Sequence, residues 1–420
     1  MVLTEVDRMK ILNFGSCNID YVYSMDHIVR VGETLSTYKL ETFEGGKGLN
    51  QSIAIARAGA KVYHAGCVGE DGKMLTDLLS KSGVDLTYVK TVEGKNGHAI
   101  IQVSSNGENS IFLYGGSNEM VTEDFVDSVL ADFSEGDIIL LQNEISSVPY
   151  IIDRAYEKKM CIIFNPSPFT EEIKKLDIGK LSYVLLNEVE ASEFSGQDDP
   201  EASLAYFETN YPDLKVILTL GSKGCIYQEN GTRYRQYAFK TTAVDTTAAG
   251  DTFTGYFVAG LYAGLNTAHN LKLASAAAAI TVSRMGAAPS IPVKDEVLST
   301  IDSLKSGEAD SKSELLRRQI FDYIEGNVAE ASLPELASIL NYSAIYTGAL
   351  IKKTTGKSFS ELLQDARCEK AADYLIHSDM SVKEIISAVG YENGSFFRAI
   401  FKEKFGDTPL QFRQKKGKFI

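Results

Sequence analysis

The sequence has no tryptophan, only nine prolines in 420 residues, and five cysteines, an odd number. Cys17, Cys67, Cys161, Cys225 and Cys368 stand singly with no Cys-x-x-Cys pair, so neither a disulfide framework nor a zinc site is implied. They are expected to be small buried residues, as free cysteines usually are. The five histidines, His27, His64, His98, His269 and His377, are equally dispersed, which argues against a metal–histidine centre. No apolar run approaches the roughly 18 residues of a membrane span. The opening MVLTEVDRMKILNFG also lacks the basic, apolar, small-residue order of a secretory leader, so a cytoplasmic protein is expected.

Positive charge is in deficit, and unevenly so. Residues 1–310 carry 26 lysines and arginines against 42 acidic residues, a net of −16, whereas residues 311–420 carry 16 against 14, a net of +2. An acidic body repels nucleic acid and a weakly basic tail tolerates it. The change falls near LKSGEADSKSE, Leu304 to Glu314, a polar stretch that reads as a linker. The organisation expected is a large domain over 1–303, a linker over 304–313 and a smaller domain over 314–420.

What is present in the first part is alternation. KILNFGS, CIIFNPS, YVLLNEVE and KVILTLG are short apolar runs closed by Gly, Asn, Pro or Ser, the pattern of buried parallel strands. Between them lie amphipathic stretches such as LNQSIAIARAGA and VPYIIDRAYEKK, which predicts an α/β fold with helices on both faces of a mostly parallel sheet. In such sheets ligands bind beyond the carboxyl ends of the strands. Asn18, Asp20, Glu144, Asn187, Glu190, Thr219 and Gly221 fall there, although any one of them alone is ordinary strand punctuation.

Two glycine-rich segments bear chemistry. FEGGKGLNQS, Phe43 to Ser52, opens a helix, so its glycines bring backbone close to a ligand while Lys47 and Asn50 supply polar groups. Taken alone, GGKG is also compatible with a plain tight turn. No Walker A loop is present: the near miss GCVGEDGKM has one residue too many and Met after Lys. DTTAAGDTFTG, Asp245 to Gly255, sets TAAG at a helix start, where free N–H groups and the helix dipole stabilise anions. Asp251 beside such a pocket would repel phosphate but is placed to take a proton from a hydroxyl attacking phosphorus. A plain helix-capping aspartate would look the same, and the two roles are compatible.

In order along the chain, GSCNIDY, VGETL, FEGGKGLNQSIAIARAGAKV, GCVGEDG, LLNEVE, LTLGSKG, DTTAAGDTFTGYF and AAAAITVSRMGAAPSIP resemble the ribokinase-like (PfkB-type) sugar kinases, from about Ile11 to Pro292. The resemblance implies that Asn18, Asp20, Gly46, Lys47, Asn50 and Glu144 hold sugar hydroxyls and that Asp251 is the catalytic base. It implies an anion hole at Ala248, Ala249 and Gly250, and ATP contacts at Asn187, Thr219, Gly221 and Gly224. Glu190 takes the N-x-x-E position that orients Mg²⁺ and its waters. Asp245, Thr247, Thr281, Arg284, Gly286 and Ser290 match a monovalent-cation loop, which implies K⁺. A small β lid is expected around Tyr21 to Phe43 and His98 to Tyr114; such lids pair between subunits, so a homodimer is implied.

After Glu314 the periodicity is helical throughout. SLPELASILNYS and SVKEIISAVGYEN each begin as a capping box, Ser332 with Glu335 and Ser381 with Glu384, and each leads through a turn to a second helix. One such unit is also what a plain helical hairpin looks like; two about 50 residues apart are stronger. With SFSELLQDARCEKAADYLIHS between them and FKEKFGDTPLQFRQ at the end, they resemble the AraC-type DNA-binding domain over about Arg317 to Gln414. That resemblance implies double-stranded DNA as a partner, with Tyr346, Thr347, Lys352, Asn393, Ser395, Phe396, Arg398 and Lys402 facing it. Arg398 suits guanine, and Lys352 and Lys402 suit phosphate. YTGAL departs from the family by placing Gly348 and Ala349 where Ser and Arg are usual, which puts base reading by the first unit in doubt. The expectation is a sugar kinase fused to a DNA-binding domain, a sugar-responsive transcription regulator. The alternatives are a catalytically dead sugar sensor controlling transcription, and a plain kinase whose tail is an interaction module.

Overall fold

The computed structural model describes residues 9–304 and most of 316–416; residues 1–8, 305–315, 317, 318, 322, 325, 341, 356, 379, 392 and 417–420 lie outside the described part. The expected linker is, apart from Leu304, among those. By internal contacts the chain divides into two units, Met1–Gly307 and Glu308–Ile420.

The first unit is built on a nine-stranded sheet. Its strands are β1 Ile11–Phe14, β4 Val62–Val68, β5 Asp85–Thr91, β8 Ile138–Gln142, β9 Cys161–Asn165, β10 Tyr183–Asn187, β11 Lys215–Thr219, β12 Cys225–Glu229 and β13 Thr232–Gln236, in the order β13-β12-β11-β10-β9-β8-β1-β4-β5. All neighbours are parallel except β11–β12 and β12–β13, which form the antiparallel edge. The four apolar runs read from the sequence are β1, β9, β10 and β11. They read as unbroken apolar stretches because both faces are covered, so successive residues enter opposite cores. Leu140 and Ile163 join one cluster, while Ile139, Leu141, Ile162 and Phe164 join the other.

Helices α1 Lys47–Arg57, α2 Lys73–Lys81, α7 Ala249–Tyr262, α8 Thr267–Val282 and α9 Lys294–Thr300 supply the first of these layers. Helices α3 Glu123–Leu130, α4 Val148–Glu157, α5 Glu188–Ser195 and α6 Pro200–Asn210 supply the second. Helices α1 and α7 approach closely because Gly255 has no side chain: a Cβ there would lie 2.3 Å from the Cβ of Ala54. That contact sets the glycine-rich helix start of α1 against the helix start of α7.

A second sheet of four strands, ordered β3-β2-β6-β7, comprises β2 Asn18–Met25, β3 Lys39–Gly45, β6 Gly97–Ser104 and β7 Asn109–Tyr114. It corresponds to the expected lid. Asn18 and Asp20 therefore lie on β2 of this sheet, and not in a loop at the carboxyl end of β1, as the strand-end argument placed them. The lid shows Leu40, Phe43, Ile111, Phe112, Leu113 and Tyr114 exposed, and every residue of β7 is exposed.

The second unit is helical: α10 Leu333–Ile339, α11 Ala344–Thr355, α12 Phe359–His377, α13 Val382–Ala388, α14 Gly394–Phe405 and α15 Pro409–Lys416. Two small cores lie at the two ends of α12, one gathering Leu336, Ile351 and Phe359, the other Leu375, Ile385, Phe397 and Phe401. Ser381 and Glu384 form the complete reciprocal cap read from the sequence. Ser332 makes only half of one: Glu335 donates its N–H to Ser332, but its carboxylate accepts from the Tyr323 hydroxyl at 2.7 Å, and that same hydroxyl accepts the Ser332 N–H. A second complete box, Ser358 with Glu361, starts α12.

Candidate active site and nucleic-acid interface

The glycine-rich turn before α1 brings the polar groups together. Gly46 has φ +98°, a left-handed conformation that side chains rarely adopt, and it turns the chain from β3 into α1 so that the first turn of α1 faces Glu144. The Lys47 N–H donates to Glu144 Oε2 at 3.0 Å, and the Ser16 hydroxyl donates to the same oxygen. From the lid, Asn18 Oδ1 accepts from Asn118 Nδ2 at 2.7 Å. Asn18, Tyr114, Asn118, Glu119, Asn143 and Glu144 line a cleft of about 330 Å³.

Charge in this cluster is unbalanced. Burial pushes the Asp20 carboxyl up to about 7, and the Glu144 charge adds to the effect. Glu144 is also raised, chiefly by burial, which outweighs the Lys47 ammonium and the Ser16 hydroxyl. Burial works to lower Lys47, but Asp251, Glu144 and Glu190 together outweigh it and leave the ammonium above its usual value. A strong isolated pair would have lowered Glu144 as it raised Lys47. One ammonium here serves three carboxylates, so Lys47 is held charged while Glu144 keeps part of its burial cost.

Asp251 stands in the first turn of α7, 8% exposed. Its two oxygens accept from Asn50 Nδ2 at 3.0 Å and Gln51 Nε2 at 2.9 Å. Asn50 Oδ1 is buried with no hydrogen-bond partner among the described residues, an acceptor that a ligand hydroxyl would satisfy. Ahead of Asp251, Ala248 adopts φ +59° and Ala249 donates to Thr246, which leaves the amides of Gly250 and Asp251 without an acceptor among the described residues. A Cβ on Gly250 would meet nothing within 4 Å, so the space beside this turn is open. Free amides, an open approach and a buried carboxylate form a place where an anion and a hydroxyl can meet beside a proton acceptor.

The expected nucleotide residues share neighbouring strand ends. Asn187 ends β10 in register with Thr219 at the end of β11, and the Thr219 hydroxyl donates to the Leu186 carbonyl at 3.2 Å. Gly221 and Gly224 follow in the next turn with φ +52° and +95°. Glu190 and Asn187 form a reciprocal cap of α5, each accepting the other's N–H at 2.9 Å. The N-x-x-E spacing thus also has a local helix-capping purpose. Glu190 is buried, and its charge reaches Lys47.

The residues matched to a cation loop lie on two segments tied together. Asp245 accepts from the N–H and hydroxyl of Thr247 and from the Gly286 N–H at 2.9 Å, and its own N–H donates to the Val282 carbonyl. These bonds outweigh burial and hold its carboxyl below the usual range. Thr281 is buried and donates to the Thr252 hydroxyl, Arg284 pairs with Glu296, and Ser290 donates to the Ala287 carbonyl. The side chains of Asp245, Thr281 and Arg284 are thereby engaged within the protein, so a cation here would rest on backbone carbonyls.

Several site residues carried no sequence signal. Gln51 follows Asn50 directly, and adjacent helix positions point about 100° apart, so both reaching one carboxylate was not expected. Asn118 lies in a short 3₁₀ turn, and Asn143 just beyond β8, with no motif to mark either.

In the second unit, Tyr346 and Lys352 on α11 and Ser395, Phe396, Arg398 and Lys402 on α14 are exposed. Thr347 is not: it is fully buried, and the expectation that it faces DNA is corrected. Helix periodicity explains this, because exposed Ile345, Tyr346, Ala349 and Lys352 define one stripe and Thr347 falls on the opposite side with Ile351. Asn393 caps α14, its Oδ1 accepting the N–H groups of Ser395 and Phe396.

Comparison with known proteins gives two family matches. Residues 8–294 match the pfkB family of carbohydrate kinases, and residues 336–415 match a helix-turn-helix domain family. The chain is 33% identical over 309 residues to the ribokinase of Haemophilus influenzae, covering 70% of this chain and 99% of that protein. It is 36% identical over 308 residues to the ribokinase of Schizosaccharomyces pombe, covering 69% and 96%. Among solved structures, ribokinase of Cryptococcus neoformans var. grubii in complex with ADP superposes with a TM-score of 0.61 at 34% identity, covering 69% of this chain and 99% of that one. Arabidopsis thaliana ribokinase complexed with ribose and ATP gives 0.64 at 29%, covering 70% and 98%.

Proposed function

The chain belongs to the pfkB family of carbohydrate kinases, an ATP-dependent sugar kinase joined to a DNA-binding helix-turn-helix domain, and on that premise we propose that it phosphorylates a primary hydroxyl of ribose or a related sugar and regulates transcription in response to that sugar. The observation that supports the chemistry most is Asp251, a buried carboxylate in the first turn of α7 beside two free amides.

In this reading Asn18, Asp20, Lys47, Asn50 and Glu144, with the turn at Gly46, hold the sugar hydroxyls. The unpartnered Asn50 Oδ1 accepts one of them. Asp251 takes the proton of the primary hydroxyl as that oxygen bonds to the γ-phosphorus of ATP and the bond to ADP breaks. The N-terminus of α7, at Ala248, Ala249 and Gly250, and the Lys47 ammonium offset the charge of the transferring group. Asn187, Thr219, Gly221 and Gly224 contact the nucleotide. Glu190 would orient Mg²⁺ through its waters, and the ion would neutralise phosphate charge; its buried carboxylate near Lys47 suits that task. K⁺ would be held by carbonyls of the segments bearing Asp245, Thr247, Thr281, Arg284, Gly286 and Ser290, which their mutual hydrogen bonds brace.

The exposed apolar lid, with Ile111, Phe112, Leu113 and Tyr114 on one edge strand, supports a homodimer paired through the lid. Among the described residues no helix is long and apolar enough to cross a membrane, and the reading places the protein in the cytoplasm with its DNA. On DNA, Arg398 reads a base with Ser395 and Phe396 beside it, Lys352 and Lys402 contact phosphates, Tyr346 lies on the first reading helix, and Asn393 holds the second in shape.

The test is ADP formation from ATP with a panel of pentoses, hexoses and nucleosides, with and without K⁺, for the wild type and Asp251→Asn. The expected result is turnover of one sugar that needs K⁺ and is lost in the variant by about three orders of magnitude or more. Sugar binding without turnover in the wild type would make the first unit a sensor and Asp251 a helix-capping residue.

A further inference from the structure

Behind the cleft runs a continuous buried chain of polar side chains that the mechanism above does not use. Gln51 donates one amide proton to Asp251 and the other to Asn165 Oδ1 at 3.1 Å. Its carbonyl Oε1 accepts from Gln142 Nε2 at 2.7 Å, and the other proton of that same amide goes to Asn13 Oδ1 at 2.9 Å. Asn13 Nδ2 then donates to the Gly48 carbonyl at 2.7 Å and to the Ser52 hydroxyl at 2.8 Å. The Ser52 oxygen lies 2.8 Å from His64 Nδ1. Asn13, Gln51, Ser52 and His64 are fully buried, and Gln142 is 1% exposed.

The Gly48 carbonyl can only accept, so the Asn13 amide must turn its NH₂ toward Gly48 and Ser52 and its carbonyl toward Gln142, and Gln142 must turn its NH₂ toward both Asn13 and Gln51. With its oxygen accepting from Asn13, the Ser52 hydroxyl keeps its proton for His64 Nδ1, and burial, which lowers His64 to about 4 against a smaller opposing pull from the Gly15 carbonyl, leaves that ring neutral at pH 7. Gln51 is left with its carbonyl toward Gln142 and its NH₂ toward Asp251. A reversed Gln51 would set a carbonyl against a carboxylate oxygen at the same separation, two acceptors with no proton between them.

The two ends of Gln142 are used unequally. Its Oε1 is buried with no hydrogen-bond partner among the described residues, while both N–H groups go to amide oxygens of Asn13 and Gln51, so its connection runs toward Asp251.

We propose that Gln142, held by Asn13, is a positioning residue for phosphoryl transfer: it fixes the orientation of the Gln51 amide, which in turn fixes the Asp251 carboxylate. Gln142 touches no substrate. This rests on Asp251 being the base, and the experiment separates the two. The variants are Gln142→Glu, which keeps the size but offers only acceptors when ionised, and Gln142→Met, which keeps the size and offers no donor. Full-length wild type, both variants and Asp251→Asn are compared for kcat and KM with ATP and D-ribose, for ribose affinity by calorimetry, and for melting temperature.

The expected result is a kcat lower by about 10- to 100-fold in both Gln142 variants, with ribose KM and affinity within about threefold of wild type. Gln142→Glu regains activity relative to wild type as the pH is lowered from 8 to 6, because a protonated carboxyl again gives one O–H to Gln51, and Gln142→Met does not. Unchanged kcat in folded variants, or a loss of ribose affinity that parallels the loss of kcat, overturns the proposal. Should Gln142→Met fail to fold, Gln142→Glu and its pH ratio carry the test, and a flat ratio counts against the proposal. If Asp251→Asn keeps wild-type kcat, the base assignment itself has failed; if that variant is inactive and Gln142→Glu is normal, only the positioning role has.

Discussion

Asp20 is the residue whose ionisation departs furthest from habit in a useful pH range. Its carboxyl is raised to about 7, first by burial and then by Glu144. A carboxyl raised in the folded state stabilises the fold fully below its unfolded value, near 4, and that contribution is lost as the pH rises through 7. Asp20→Asn is therefore expected to raise the melting temperature relative to wild type more at pH 8 than at pH 5, read by thermal melts at both. Sugar hydroxyls donating to Asp20 favour its ionised form, so sugar affinity should strengthen as pH rises from 6 to 8 and lose that dependence in Asp20→Asn. Calorimetry in buffers of different ionisation heat should show a proton released on binding; no release would place the sugar away from Asp20. The motifs pointed to Asn50 and Asp251, which the structure brings into contact. Nothing local pointed to Gln51, Asn118 and Gln142, because their contacts are hydrogen bonds between elements distant in sequence, such as Gln142 to Asn13 across 129 positions.

At the scale of elements, strands buried on both faces and the cap of Ser381 with Glu384 announced themselves, since continuous apolar runs and Ser-x-x-Glu spacing are local properties; the box of Ser358 with Glu361 has the same spacing but was not among those expected. The half cap at Ser332 was not legible, because Tyr323 takes the Glu335 carboxylate from 12 residues away. Gly348 shows how a local departure becomes a measurable one. A Cβ there would meet only Leu333 Cδ2 at 3.6 Å, ordinary contact, so Gly348→Ala should stabilise α11 by about 0.5–1 kcal/mol. Melting of the helical unit followed by circular dichroism would show the gain; a loss would mean that α11 needs the glycine. The two reading helices also differ chemically, with Ile345, Tyr346 and Ala349 exposed on α11 and Ser395, Arg398 and Lys402 on α14. Arg398→Ala should cost about 1–3 kcal/mol on a selected operator and relax preference at one base pair, whereas Lys352→Ala should weaken all sequences alike and reduce the salt slope by about one. Equal effects of the two substitutions on every sequence would remove Arg398 from base reading.

For the whole molecule, the division of charge makes one unit repel DNA and leaves the other nearly neutral, so DNA affinity should be modest and its response to sugar visible at low salt. Two activities in one chain do not by themselves make a regulator; what does is a coupling free energy between the sugar site and the DNA site. If sugar and ATP change operator affinity by some factor, thermodynamics requires operator DNA to change the affinity for those ligands by the same factor. A coupling of 1–3 kcal/mol, typical of such systems, would appear as a roughly 5- to 150-fold change in either titration. The measurement is operator binding by fluorescence anisotropy with and without sugar and a non-hydrolysable ATP analogue, matched by calorimetric sugar binding with and without operator. Equal, non-unit factors from the two directions establish sugar-dependent regulation. Factors of one in both leave a sugar kinase and a DNA-binding domain that share a chain without exchanging information, because a ligand indifferent to the DNA-bound state cannot shift it however tightly it binds.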